Sequence, residues 1–127
     1  MEDEGALSIE SLGMTVRTGS LFGPVARGDD EHVETLASSV GGRVERIVSH
    51  GHVSPPGFWY DQDQQEWALV AQGTAELEIE DERGERGRVR LAAGDWILIP
   101  AHVRHRVTYT SDDPPCVWAA AFLPPCS

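Results

Sequence analysis

The stretch GDWILIPAHVRH, residues 94–105, decides the fold. It opens on a glycine, runs through the strand formers Trp96 to Ile99 and stops at Pro100, which cannot continue a hydrogen-bonded ladder. The next residues, HRVTYT, alternate with period two. His105, Val107 and Tyr109 share one face; Arg104, Arg106 and Thr108 share the other. The apolar face turns inward, so His105 and Tyr109 are expected inside whatever this strand encloses. A histidine there needs a partner for each ring nitrogen.

The same punctuation extends in both directions. TAELEIE (74–80) sets Ala75, Leu77 and Ile79 against a wet stripe of Glu76, Glu78 and Glu80. DERGERG is a hairpin turn, and its return strand offers Arg88 and Arg90 to those glutamates. WALVAQG is a short apolar run closed by glycine, SDDPP is a turn, and CVWAAAFL is the last strand. Upstream, RVERIVSH puts Val44, Val48 and His50 on one face and Ile47 on the other, before Pro55-Pro56-Gly57 breaks the pattern. Seven or eight short strands at regular spacing indicate a β-sandwich or small barrel. DDEHVETLASSVGG (29–42) carries an aspartate cap, an acidic first turn and a Gly41-Gly42 stop, so it is expected to be a short helix. Residues 1–28 are weakly patterned and expected to form a partly flexible arm, with one short strand within MTVRTGSLFG.

Composition narrows the function. The chain has 127 residues, 40% of them hydrophobic, which suits one domain with a real core. Its net charge of −11 argues against nucleic acid and anionic membranes as partners. No apolar run is long enough to span a bilayer, and MEDEGALSIE lacks the order of a signal peptide, so a cytoplasmic location is expected. All ten basic residues are arginine, which excludes a Schiff-base lysine and a P-loop. Cys116 and Cys126 have no metal-binding spacing and are expected to remain thiols.

At its strand ends the chain resembles the cupins. GDWILIPAHVRH matches their second motif at Gly94, Pro100 and His105, with His102 standing where glycine is usual. EWALVAQG, from Glu66 to Gly73, matches the second half of their first motif, whose first half is H-x-H. With SPPGFWYDQ, these segments resemble a group of short single-domain bacterial cupins, over residues 43–123. The resemblance implies an all-β double-stranded β-helix, a jelly-roll barrel open at one end, here with the short helix and arm added. The domain would span 29–127 with its core at 43–123, and the arm 1–28. The resemblance also implies a pocket for a small molecule, often with a divalent metal (Fe, Mn, Ni or Zn), and a homodimer formed through sheets and N-terminal strands.

The H-x-H half is absent. Counting back from Glu66 places Tyr60 and Gln62, or Trp59 and Asp61, where the histidines belong. Imidazole suits those metals, and two weak oxygen donors do not replace it. The metal ligands would be Glu66 and His105, with His102 leaning in from its turn. HGH (50–52) is an H-x-H on the preceding strand, and His50 and His52 are otherwise rim residues. The ligand-binding candidates are Tyr60, Asp61, Gln62, Glu66, His105 and Tyr109. The catalytic candidates are Glu66, His105 and Tyr60. The plainer alternatives are an arginine ion pair for Glu66, an ordinary core histidine at 105 and an exposed turn residue at 102. Trp59 would line a pocket or a dimer contact.

Three functions fit this pattern. A metal-dependent enzyme would activate water or substrate on the ion. A metal-free pocket would use Glu66, His105 and a tyrosine as acid and base, as in an isomerase or epimerase. A non-catalytic module would only hold a metabolite.

Overall fold

Eight strands follow the expected punctuation. They are β1 (His32–Ser39), β2 (Gly42–Ser49), β3 (Gln65–Gln72), β4 (Thr74–Glu80), β5 (Arg86–Ala92), β6 (Trp96–Ile99), β7 (Arg104–Thr110) and β8 (Cys116–Leu123). The computed structural model describes residues 16–126. The start of the expected arm, including Met14 and Thr15, lies outside the described residues.

The strands form two antiparallel sheets, β1-β2-β8-β3-β6 and β5-β4-β7. β8 sits between β2 and β3, and β7 beside β4, so sequence neighbours are split between the sheets. That is the all-β jelly-roll barrel the resemblance implied. Inward residues of both sheets build the core: Ala68, Val70, Leu77, Ile99, Trp118 and Phe122 are all at most 6% exposed. Among the described residues no helix is long and apolar enough to cross a membrane.

The sequence expectations need correction at two places. Residues 29–42 are not a helix. They hold edge strand β1, paired with β2 from His32↔Val48 to Ser39↔Gly42. A lone helix of that length is marginal, and Val33 and Thr35 favour an extended chain, so sheet pairing wins over the cap signals. Residues 16–23 run as coil and turn, not as a strand.

On β2 the two faces divide as the alternation predicts, and the structure shows which of them is inside. Its inward face is Arg43, Glu45, Ile47 and Ser49, which line the barrel cavity. Val44, Val48 and His50 look outward. There Arg46, only 6% exposed, fastens residues 21–23 by donating to the Leu21 and Gly23 carbonyls and to Glu34 Oε1 at 3.0 Å.

The second correction concerns β7. Its pairing with β4 slips between Glu76↔Tyr109 and Leu77↔Val107, a bulge that leaves Thr108 unmatched. His105 and Val107 stay inside, but Tyr109 is turned out and is 46% exposed.

One glycine fixes a close approach. Gly73, between β3 and β4, has φ 81°. A Cβ there would lie 2.9 Å from the Pro115 carbonyl oxygen and 3.0 Å from Cys116 Cα, and would strike Ser111 Oγ.

Candidate functional site

The two sheets enclose a cavity of about 180 Å³ that opens at one end of the barrel. β3 leaves the mouth with Glu66 as its second residue, facing inward beside Ile99 and Phe122 of the flanking strands. β7 brings His105 from the opposite sheet. His105 Nε2 and Glu66 Oε1 stand 3.4 Å apart, with side chains 5% and 14% exposed. On the far side of the ring, Nδ1 lies 3.0 Å from the Val103 carbonyl oxygen. A carbonyl only accepts, so Nδ1 carries a hydrogen and Nε2 is the nitrogen presented to the cavity.

The Pro-Pro-Gly turn returns the chain along β7. Tyr60 and His105 exchange backbone hydrogen bonds of 2.7 and 3.1 Å. The two rings stack at 5.2 Å between centroids. Tyr60 is thereby held against the imidazole and lines the cavity. Burial, and then the negative charges of Glu31, Glu66 and Glu45, push its phenol above the usual tyrosine range. Gln62, two residues on, points to the same side and also lines the cavity.

The structure therefore brings together Tyr60, Gln62, Glu66 and His105. It leaves three candidates outside. Asp61 takes the opposite side of its extended segment and holds His102 Nδ1 at 2.8 Å, in a pair 52% and 68% exposed. His102 has φ 64°, the left-handed conformation that explains why glycine suits this position. Tyr109 is removed by the bulge. His50 and His52 are also apart from the cavity. The His50 N–H donates to His52 Nδ1 at 2.9 Å, and His52 Nε2–H donates to the Gly28 carbonyl at 3.0 Å, so His52 ties down the arm. Trp59 lies under the guanidinium groups of Arg86, Arg104 and Arg106, at 4.9, 5.1 and 5.7 Å. These arginines belong to the outer surface of the small sheet.

Four further wall residues escaped sequence reasoning: Glu31, Arg43, Glu45 and Ser49. Arg43 Nε donates to Glu45 Oε2 at 2.7 Å, and its guanidinium rests 4.0 Å over the Phe122 ring. Ser49 Oγ donates to Glu31 Oε2 at 2.9 Å. A charged pair two residues apart on one strand, R-x-E, was the signal, since alternation puts both on one face.

The donors do not fit a tightly held Fe, Mn, Ni or Zn ion. Such sites use at least three protein ligands. Among the described residues, no group of three or more His, Cys, Asp or Glu side chains comes together. Glu66 and His105 are two, and His102 is engaged elsewhere. Cys116 supplies no alternative chemistry. Its buried thiol is pushed up to about 12, so almost none is thiolate near neutrality.

Comparison with known proteins agrees with this architecture. The sequence model of the cupin domain matches residues 44–122. No curated protein matches the chain. Among solved structures, a candidate mannose-6-phosphate isomerase of Ralstonia eutropha JMP134 is 42% identical, with a TM-score of 0.79 over 86% of this chain and 99% of that one. A Streptococcus pyogenes protein of unknown function is 16% identical, with a TM-score of 0.65 over 90% of this chain and 92% of that one. Oxalate decarboxylase of Bacillus subtilis is 17% identical, with a TM-score of 0.57 over 68% of this chain. The match spans only 22% of that enzyme, and at such identity these last two likenesses concern the fold alone.

Proposed function

Since the chain belongs to the cupin domain family, we propose that its barrel cavity binds a small polar molecule and moves a proton on it, using Glu66, His105 and Tyr60. The observation that supports this most is the Glu66–His105 pair. Nε2 and Oε1 face each other at 3.4 Å, while Nδ1 is already committed to a carbonyl. Both facing atoms are acceptors unless one proton lies between them. A proton taken up on Nε2 beside the Glu66 carboxylate is the one the pair would lend to a substrate atom and take back. Glu66 stabilises the imidazolium when His105 holds it. Tyr60 stays a phenol at neutral pH, because its own ionisation is opposed by burial and by three carboxylates. It serves as a hydrogen-bond or proton donor beside the ring.

The reaction class is proton transfer next to a carbonyl, as in the isomerisation or epimerisation of a sugar-like molecule. The Ralstonia eutropha relative bears the name of an isomerase, which is consistent with this chemistry. No step passes through a metal, since the donor set does not suit one.

Deuterium uptake from D2O, followed by NMR over a panel of aldoses and ketoses, tests the proposal. Exchange is expected to persist in EDTA and to fall by roughly 10²-fold or more in His105→Gln. Exchange abolished by EDTA would replace this mechanism with a metal-dependent one. Exchange unchanged in His105→Gln would remove the pair from the chemistry. No exchange with any sugar would leave the cavity a binding role only.

A further inference from the structure

We propose that the cavity selects a positively charged molecule, an amine or amino sugar in its ammonium form, over neutral and anionic analogues; this rests on the barrel cavity being the ligand site. The site is defined by an enclosed space with apolar walls, and the charges on those walls choose the occupant. Three carboxylates line it, those of Glu31, Glu45 and Glu66, against one guanidinium, that of Arg43. Arg43 is already engaged. It donates to Glu45 at 2.7 Å and to Gln64 Oε1 at 3.2 Å, and it lies on Phe122. Glu31 and Glu66 remain. Among the described residues neither has an arginine within 4 Å; Glu31 is held by a serine hydroxyl and Glu66 faces His105. Protonated His105 would neutralise one of the two and still leave an excess of negative charge.

An entering phosphate or carboxylate would meet this wall without a free cation. Anions are bound by Arg or Lys forks or by helix N-termini. The chain has no lysine, and the described residues contain no helix. An ammonium group meets the reverse situation. The carboxylates attract it, and the face of Tyr60 offers a cation–π contact between them. Arg43 stacked on Phe122 is a cation already seated on this wall. The acidic wall also continues outward. Asp29 and Asp30 join Glu31 in a second cavity of about 200 Å³ that shares Tyr60 and Val107 with the first. The net charge of −11 draws cations toward the mouth from a distance. The Tyr60 phenol is raised first by burial and then by the same three carboxylates.

Three forms of one sugar ring test the charge preference: D-mannose, D-mannosamine and mannose 6-phosphate, titrated against the full chain by NMR at low salt. Mannosamine is expected to bind about tenfold tighter than mannose, the order that one partly screened charge pair supplies, with mannose 6-phosphate weakest. Added NaCl should erode only the mannosamine advantage. In Glu31→Gln the ratio of mannosamine to mannose affinity should shrink to roughly twofold. Glu31→Asp, which keeps the charge, serves as a second variant and should retain most of the advantage; its loss there as well would point to altered folding rather than charge. Mannose 6-phosphate binding tighter than the other two would overturn the charge selection and leave the cavity as the ligand site. No binding by any of the three would overturn both.

Discussion

The outside of the small sheet and the inside of the barrel both carry glutamates, but they treat them differently. On the outer face of β4, every glutamate has an arginine. Glu76 meets Arg88 at 2.9 Å, Glu78 meets Arg106 at 3.8 Å, and Glu80 lies between Arg86 and Arg104 at 3.0 and 2.5 Å. Inside, Glu45 has Arg43, but Glu66 has only a histidine and Glu31 a serine. Pairs in which the arginine is largely exposed, as for Glu76 and Glu80, keep a sheet soluble and in register and contribute little each. A sheltered carboxylate without a cation gives up solvation for no structural return, which is why such groups mark sites. Pairing separates scaffold from site here better than residue type does.

The largest test of this contrast removes one member of each kind of pair. His105→Ala or Glu66→Ala leaves the other half of the inner pair without its partner. A loss of about 1–3 kcal/mol in urea unfolding is expected, together with loss of ligand binding. Arg88→Ala, at a side chain 59% exposed, should cost about 0.5 kcal/mol or less and leave binding intact. Equal losses at both places would erase the distinction.

A smaller effect lies in acid. Glu76 is held below the usual carboxylate value of 4.5, mainly by the Thr108 hydroxyl and then by Arg88. Glu80 is lowered by Arg86 and then by Arg104. A folded value below the unfolded one gives stability that is full above about pH 4.5 and is lost as pH falls through the lowered values. Unfolding midpoints measured from pH 6 to pH 3 should decline less steeply in a Glu76→Gln, Glu80→Gln double variant. An unchanged slope would mean that these pairs are idle.

The smallest expected effect is none at all. Tyr109→Phe should leave ligand affinity unchanged within error, because the β7 bulge turns the ring out of the barrel. A clear loss of affinity would put Tyr109 back in the site and the bulge in doubt.

Much of the fold was legible because turns announce themselves. Pro55-Pro56-Gly57, the first five residues of DERGERG and SDDPP fall between observed strands, and alternation in TAELEIE sorted inside from outside correctly. Where alternation failed, the cause was specific. A bulge changes the period by one residue, and nothing in HRVTYT signals it. On β2 alternation separated the faces but could not say which is inside: Arg43, Glu45, Ile47 and Ser49 line the cavity, while Val48 and His50 face residues 21–25. β1 carries helix-like caps that its pairing with β2 overrides. Of the cavity lining, Glu66, His105, Tyr60 and Gln62 were picked out through the resemblance to the cupin motifs. Glu31 was not, since only the fold carries residue 31 across to Ser49.

The glycine at the β3–β4 junction bears on what a shared signature can reveal. With φ 81° and the 111–116 segment pressed against its Cα, position 73 admits no side chain whatever the barrel holds. A descendant of this chain could exchange every group facing the cavity, and its reaction with them, and still be obliged to keep that glycine. Recognition by such positions therefore certifies ancestry of the frame. The catalytic vocation has to be read from the residues that inheritance leaves free to change.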